Sequence, residues 1–238
     1  MSEGRYLGRS IPRLEDERFL RGYSTFTDDV RLEGALHLAI VRSPYPHAVI
    51  RRVDCSAAQR VPGFVTAFTG ADLARWLAPF PTPPQSAGAR PQQRYPLAID
   101  RVRYVGEGVV AIVAESRATA LDAAAEVIVE YDELPAVVDP EEALRPQAPR
   151  LHPDWPDNVA FAWEHQHGDI DAVFREAEEI IELELVNQRV HAAFMEPRAA
   201  AANYDTVNRQ LTVWASTQTP HTLRGGIATV LGIPEHQI

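Results

Sequence analysis

The sequence predicts a mixed α+β protein built in two units. Three observations lead there: short apolar segments that alternate with period two, short helical segments between them, and two proline-rich stretches that break the pattern. Residues 34–42, GALHLAIVR, place Leu36, Leu38 and Ile40 on one face of a strand. HAVIRRVD, residues 47–54, reads as a second strand, and a short helix-like SAAQR follows it. Pro62-Gly63 turns the chain into a third strand, FVTAF, after which GADLARWL has helical spacing. From Pro79 to Pro96 six prolines remove amide donors and block helix, so a long surface loop is expected. RVRYVGEGVVAIVAES, residues 101–116, resumes extended structure. Ser116 can cap a helix through RATALDAAA, and EVIVEYDEL returns as a strand with Val127, Val129 and Tyr131 in alternation. The first unit ends near residue 138.

A second proline-rich stretch, Pro135 to Pro156, reads as a linker between the units. Beyond it Asp169 can cap a helix whose Ile170, Val173, Phe174 and Ala177 recur at helical spacing. IIELELVNQRV, residues 180–190, then alternates, with Ile181, Leu183 and Leu185 facing in and Glu182 and Glu184 facing out. QLTVWAS is the next strand. HTLRGGIATVLGI begins a helix that Gly225-Gly226 is expected to interrupt.

Composition narrows the function. The formal net charge is −10, and the basic residues are scattered, which excludes a nucleic-acid partner. One cysteine, Cys55, allows no internal disulfide and no cysteine cluster for zinc or iron–sulfur. MSEGRYLGRS lacks the apolar core of a signal peptide, and GVVAIVA is far too short to span a membrane. A cytoplasmic setting is the expectation.

Several short patterns bear on chemistry. Gly106, Gly108 and Ala111 match G-x-G-x-x-A, but a dinucleotide site needs a helix after the glycines and VVAIVA favours strand. The glycines therefore read as a bend or bulge, and no nucleotide fold is expected. His165 and His167 would share one face of a strand as metal ligands, yet they stand beside the Asp169 cap, where a loop is expected. Cys55 follows Asp54, a neighbour that disfavours a thiolate, so it reads as a small core residue. The pairs Glu141-Glu142 and Glu178-Glu179 read as solvated faces. Glu196 and Arg198 flank Pro197 directly after Phe194-Met195, a pattern that an ion pair pinning a bend would explain. Gln218 sits in the polar run Ser216 to Thr219 at a strand end. Its amide offers two donors and an acceptor without charge, so it suits either an ordinary turn or a hydrogen bond to an atom held by a metal.

Seven segments in order carry a resemblance: GRSIPRLEDERFLRGYSTFTDDV, VRYVGEGVVAIVAES, ELPAVVDPEEAL, GDIDAVFREAE, NQRV, MEPRAA and LTVWASTQTPH. Together they resemble the molybdenum-binding large subunit of the xanthine dehydrogenase and aldehyde oxidase family, and the opening segment looks most like the carbon monoxide dehydrogenase branch. The resemblance implies an N-terminal arm over residues 1–17, an α/β hammerhead domain over 18–138, a linker over 139–157, and over 158–238 the first part of a molybdopterin-binding domain. Gln218 matches the family glutamine that hydrogen-bonds an oxygen on molybdenum. MEPR matches a family motif near the cofactor, without a catalytic role for Glu196 or Arg198. Gly108 departs from the family's usual proline.

The family's large subunit is much longer. Its base glutamate, pterin contacts and substrate-defining loop belong to sequence beyond Ile238, so no catalytic residue and no metal ligand is expected within these 238 residues. The resemblance implies a molybdenum–pterin cofactor, with FAD and 2Fe-2S groups carried only by partner subunits. The implied partners are the C-terminal remainder of the large subunit, an FAD subunit and an iron–sulfur subunit. The implied function is oxidation or hydroxylation of a small substrate (carbon monoxide, an aldehyde, a purine or an N-heterocycle), requiring the missing part. The alternative is a non-catalytic hammerhead module acting as scaffold or interaction partner.

Overall fold

The computed structural model describes residue 6, residues 8–81 and residues 89–238. The start of the arm and the middle of the Pro79–Pro96 loop therefore lie outside the described residues. Helix α1 spans Asp16–Leu20, and a single 3-10 turn, Thr27–Asp29, leads to the first unit.

Six strands build that unit: β1 (His37–Arg42), β2 (Ala48–Asp54), β3 (Phe64–Thr69), β4 (Arg101–Val102), β5 (Gly108–Ala114) and β6 (Ile128–Glu133). They form two antiparallel three-stranded sheets, in the orders β1-β5-β3 and β4-β2-β6. Strand β5 is central to the first sheet, and it is the most apolar run in the unit. Val109, Val110 and Ile112 are fully buried, each contributing about 1.5–3 kcal/mol by leaving water. They pack with Ala48 and Val102 of the second sheet, so one core joins both sheets. Val129 and Tyr131 of β6, Val127 just before it and the half-buried Cys55 pack against that core.

Short helices close the edges. Helix α2 (Gly70–Leu73) starts at a capping box in which Thr69 and Asp72 exchange hydrogen bonds, and turns replace the remainder of the expected helix. Helix α3 (Arg117–Ala125) begins where Ser116 Oγ accepts the Thr119 N–H at 3.1 Å. Its Ala120 packs with Ala39 and Ala114, because small side chains let the helix lie close to the sheet. In β1 the buried residue is Ala39, while Leu36 and Leu38 stay exposed. The extended reading of residues 101–116 is broken in two at Gly106, whose φ of 89° favours glycine.

The linker is folded. Asp139 caps α4 (Pro140–Ala143), and the Asn158 side chain bonds the Ala143 and Pro149 carbonyls and the Leu151 amide. An Arg90–Asp157 ion pair ties it to the long loop.

Helix α5 (Ile170–Glu176) begins at Asp169, whose carboxylate accepts the Ala172 N–H at 2.9 Å. The expected strand over 180–190 does not form: residues 179–194 are irregular. Among the described residues nothing pairs with that segment, and a strand exists only through its ladder. Ile181, Leu183 and Leu185 are 88, 73 and 79% exposed rather than facing in. A hairpin follows, β7 (Ala200–Asp205) with β8 (Gln210–Ala215), in register from Ala200↔Ala215 to Asp205↔Gln210. Helix α6 (Pro220–Leu231) runs unbroken through Gly225-Gly226, correcting the expected interruption. Its C-terminal end is held in two ways. The Val230 carbonyl accepts the Ala78 N–H at 2.9 Å, and Gly232 closes the helix at φ 67°.

Candidate functional site

The polar run after β8 is held by the hairpin that precedes it. Ser216 extends the pairing one residue past β8, its N–H donating to the Ala199 carbonyl at 3.1 Å. The Ser216 hydroxyl accepts the Ala199 N–H at 3.3 Å and lies 3.1 Å from the Pro197 carbonyl. Thr217 Oγ1 then accepts the Thr219 N–H at 3.1 Å, which folds the chain into a tight bend. Gln218 is the residue at the bend. Its side chain is exposed and makes no hydrogen bond among the described residues.

Helix α6 starts two residues later with proline in its first turn. The first carbonyl to be engaged is that of Thr219, by the Leu223 N–H at 3.0 Å. The amides of His221 and Thr222 have no partner among the described residues, as expected at a helix N-terminus. One neutral amide side chain and the positive end of a helix thus stand together. Both present hydrogen-bond donors, and the 216–221 run carries no carboxylate or thiolate. That donor set fits oxygen atoms of a metal–pterin group, held from one side; the residues that would hold its sulfur and pterin portions are not among these.

Glu196 lies behind the bend. Its Oε1 accepts the Thr27 N–H at 3.1 Å and contacts the Ser216 hydroxyl at 3.3 Å. The expected Glu196–Arg198 ion pair is not what pins Pro197: Arg198 lies over the Phe194 ring at 5.1 Å. The Thr27 partner was not foreseeable from spacing, because 169 residues separate the two.

A second concave region lies elsewhere. A cavity of about 590 Å³ sits between residues 91–107 and 151–155, lined by Arg94, Arg103, Glu107, His152 and Trp155. Glu107 is buried and accepts the Arg103 N–H at 2.6 Å; burial pushes its carboxyl above the usual glutamate range against that bond and the charges of Arg103 and Arg94. Burial, then the charges of Arg103 and His47, hold His152 below the ordinary histidine value. Glu107 escaped notice in the sequence, where only the flanking glycines drew attention. No group of three or more His, Cys, Asp or Glu residues converges as a metal site among the described residues. The cavity includes no residue of the 216–221 run.

The other expected positions fall in place as follows. His165 and His167 are exposed in an irregular segment, with His165 near the Trp163 ring. Gly108 opens β5 rather than a helix, so the glycine pair is the strand bend the β-branched run favours. Burial raises the Cys55 thiol, with Asp54 adding to the effect, and the thiol is not activated.

Two antiparallel sheets sharing one core, a folded linker, and a polar bend before a helix N-terminus define an α+β protein of two units. Comparison with known proteins gives the class. Residues 21–135 match the profile of the aldehyde oxidase and xanthine dehydrogenase a/b hammerhead domain, and residues 151–238 match that of a molybdopterin cofactor-binding domain. The chain belongs to the aldehyde oxidase and xanthine dehydrogenase family of molybdenum hydroxylase large subunits.

It is 38% identical to the nicotine 6-hydroxylase large subunit of Paenarthrobacter nicotinovorans, over 96% of this chain and 28% of that protein. It is 34% identical to the carbon monoxide dehydrogenase large chain of Afipia carboxidovorans, over 98% of this chain and 30% of that one. Among solved structures it matches quinoline 2-oxidoreductase from Pseudomonas putida 86 with a TM-score of 0.89 and 37% identity, over 97% of this chain and 29% of the other. The chain therefore spans less than a third of each of these three relatives.

Proposed function

We propose that this chain is the N-terminal portion of a molybdenum hydroxylase large subunit, oxidising or hydroxylating a small substrate once the remainder of the subunit is present. On this reading the hammerhead domain runs over 18–138, the linker over 139–157 and the cofactor-domain portion from 158 onward. Gln218 is the cofactor-binding residue. The observation that carries this is the free Gln218 amide at the bend, within the stretch matched by the cofactor-binding profile.

The molybdenum–pterin group, when bound, supplies two-electron oxidation with oxygen drawn from water. The chain's own part is narrower. Gln218 donates from a neutral amide, so it orients a polar atom without competing as a ligand. Ser216 and Thr217 hold the bend that carries it, and the N-terminus of α6 adds favourable potential for oxygen-borne negative charge. The substrate is carbon monoxide, an aldehyde, a purine or an N-heterocycle. Electrons leave through FAD and iron–sulfur groups on partner subunits in the cytoplasm; an unpaired Cys55 accords with a reducing compartment. No helix among the described residues is long and apolar enough to cross a membrane.

The test is molybdenum content, by elemental mass spectrometry, on tagged protein purified from its source together with native mass. Near-stoichiometric molybdenum in a heavier assembly is expected. In that assembly Q218A should keep most of its molybdenum while turnover falls by about 10²-fold, the scale seen when one preorganised donor is removed. A bare chain without molybdenum would instead leave the non-catalytic hammerhead module as the reading.

A further inference from the structure

We infer that Glu196 is a positioning residue for the Gln218 bend, fastening it to the N-terminal turn at Thr27–Asp29. The significance for a cofactor rests on the reading of Gln218 above; the fastening itself does not. One carboxylate oxygen serves two elements far apart in sequence. Glu196 Oε1 accepts the Thr27 N–H at 3.1 Å and meets the Ser216 hydroxyl at 3.3 Å. Ser216 is where β8 gives way to the bend, two residues before Gln218. Its hydroxyl also accepts the Ala199 N–H at 3.3 Å and lies 3.1 Å from the Pro197 carbonyl. The hydroxyl has one proton for two acceptors, so Glu196 and Pro197 share it, and both belong to the segment that leads into β7.

Pro197, directly after Glu196, fixes its own φ and lacks a donor, which keeps this short approach to β7 from rearranging. A charged acceptor suits the position, because hydrogen bonds to carboxylates are the stronger kind and all three groups are partly buried. Without the carboxylate, the Thr27 amide loses its only partner among the described residues and Ser216 loses one of two acceptors. The bend then keeps its own Thr217–Thr219 bond but loses the carboxylate's tie to the N-terminal turn. This gives the Glu-Pro pair a use that spacing alone did not supply.

The experiment is residue-resolved amide hydrogen exchange by mass spectrometry on the protein as purified from its source, comparing wild type, E196A and E196Q. The amides of Thr27, Ala199 and Ser216 should each exchange at least tenfold faster in E196A. E196Q keeps an acceptor oxygen and should restore most of the protection. The Phe26 amide is the control, since it donates to Asp29 within its own turn at 2.9 Å and should not change. Equal acceleration of Phe26 would mean that the whole turn has melted and would overturn the specific fastening. Unchanged exchange at Thr27, or at Ala199 and Ser216, would overturn it as well, as would an E196Q that behaves like E196A.

In the molybdenum-loaded assembly from the source organism, the Mo(V) EPR spectrum should change in E196A and return in E196Q. Wild-type protein lacking molybdenum would defeat the cofactor reading and leave the exchange result to decide the fastening. A loaded enzyme whose spectrum ignores E196A would defeat the positioning role alone.

Discussion

Glu107 shows how a single side chain can set a pH dependence. Its carboxyl is raised by burial, so between the ordinary glutamate range and its folded value the native state holds a proton that the unfolded chain has lost. Stability then falls as pH rises through that window, the reverse of the usual paired carboxylate. The facing groups are Arg103 and Arg94, with His152, Asp100 and Asp154 around the same cavity. E107Q keeps an oxygen for the Arg103 amide but cannot ionise. Its stability relative to wild type should increase from pH 4 toward neutrality in urea titrations; a constant difference would contradict the raised carboxyl. Two glycines offer a sharper contrast. A Cβ on Gly70 would overlap the Ala98 carbonyl, whereas one on Gly108 would meet the side-chain ends of Leu97 at 3.0 Å and Ile40 at 3.1 Å. Backbone cannot yield as a side chain can. G70A should cost about 3 kcal/mol in the same titrations and G108A about 1 kcal/mol. Equal costs would show that the Gly70 approach is looser than the geometry states.

Among the elements, those that local chemistry specifies were legible in the sequence. Ser116, Asp169 and the alternation in β6 each name a cap or a face, and the structure has them there. Misreadings occurred where a partner decides. The segment 180–190 has the alternation of a strand but no ladder, because propensity describes a surface ready to pair rather than a pair. Strand β7, AAANYD, was invisible for the opposite reason. Alanine, asparagine and aspartate are poor strand formers, and only its register with β8 makes it one. Gly225-Gly226 suggested a break, but the helix continues through a cost of about 1 kcal/mol per glycine, with Arg224 paired to Glu235 and the Val230 carbonyl held by the Ala78 N–H. Gln218 could be chosen from its chemistry and its resemblance to the family motif. Glu196 could be noticed but not explained, since its partner Thr27 is brought to it by tertiary structure.

At the scale of the whole molecule, the two units differ in how far they complete themselves. The first has a shared core of fully buried residues, while in the second only Val230 is buried among the hydrophobic residues after the linker. Among the described residues the hairpin β7–β8 has two open edges, and Ile181, Leu183, Leu185, Val186 and Val190 lie exposed in the segment that precedes it in the chain. Large apolar side chains left this exposed favour association when uncovered. The nicotine 6-hydroxylase large subunit is more than three times as long as the matched portion, and the same path of chain is found in the quinoline 2-oxidoreductase structure over 97% of this chain. The 238-residue chain alone should therefore self-associate with rising concentration in sedimentation velocity and bind a hydrophobic dye. The double variant L183K/L185K should reduce both, by several-fold for the dye, without changing far-UV circular dichroism, because both side chains are largely exposed and lie in an irregular segment. A wild-type chain that remains monomeric and dark with dye would mean that the segment folds onto its own hairpin in solution. The second unit would then complete itself without further strands, and the Gln218 bend would face a surface closed by this chain alone.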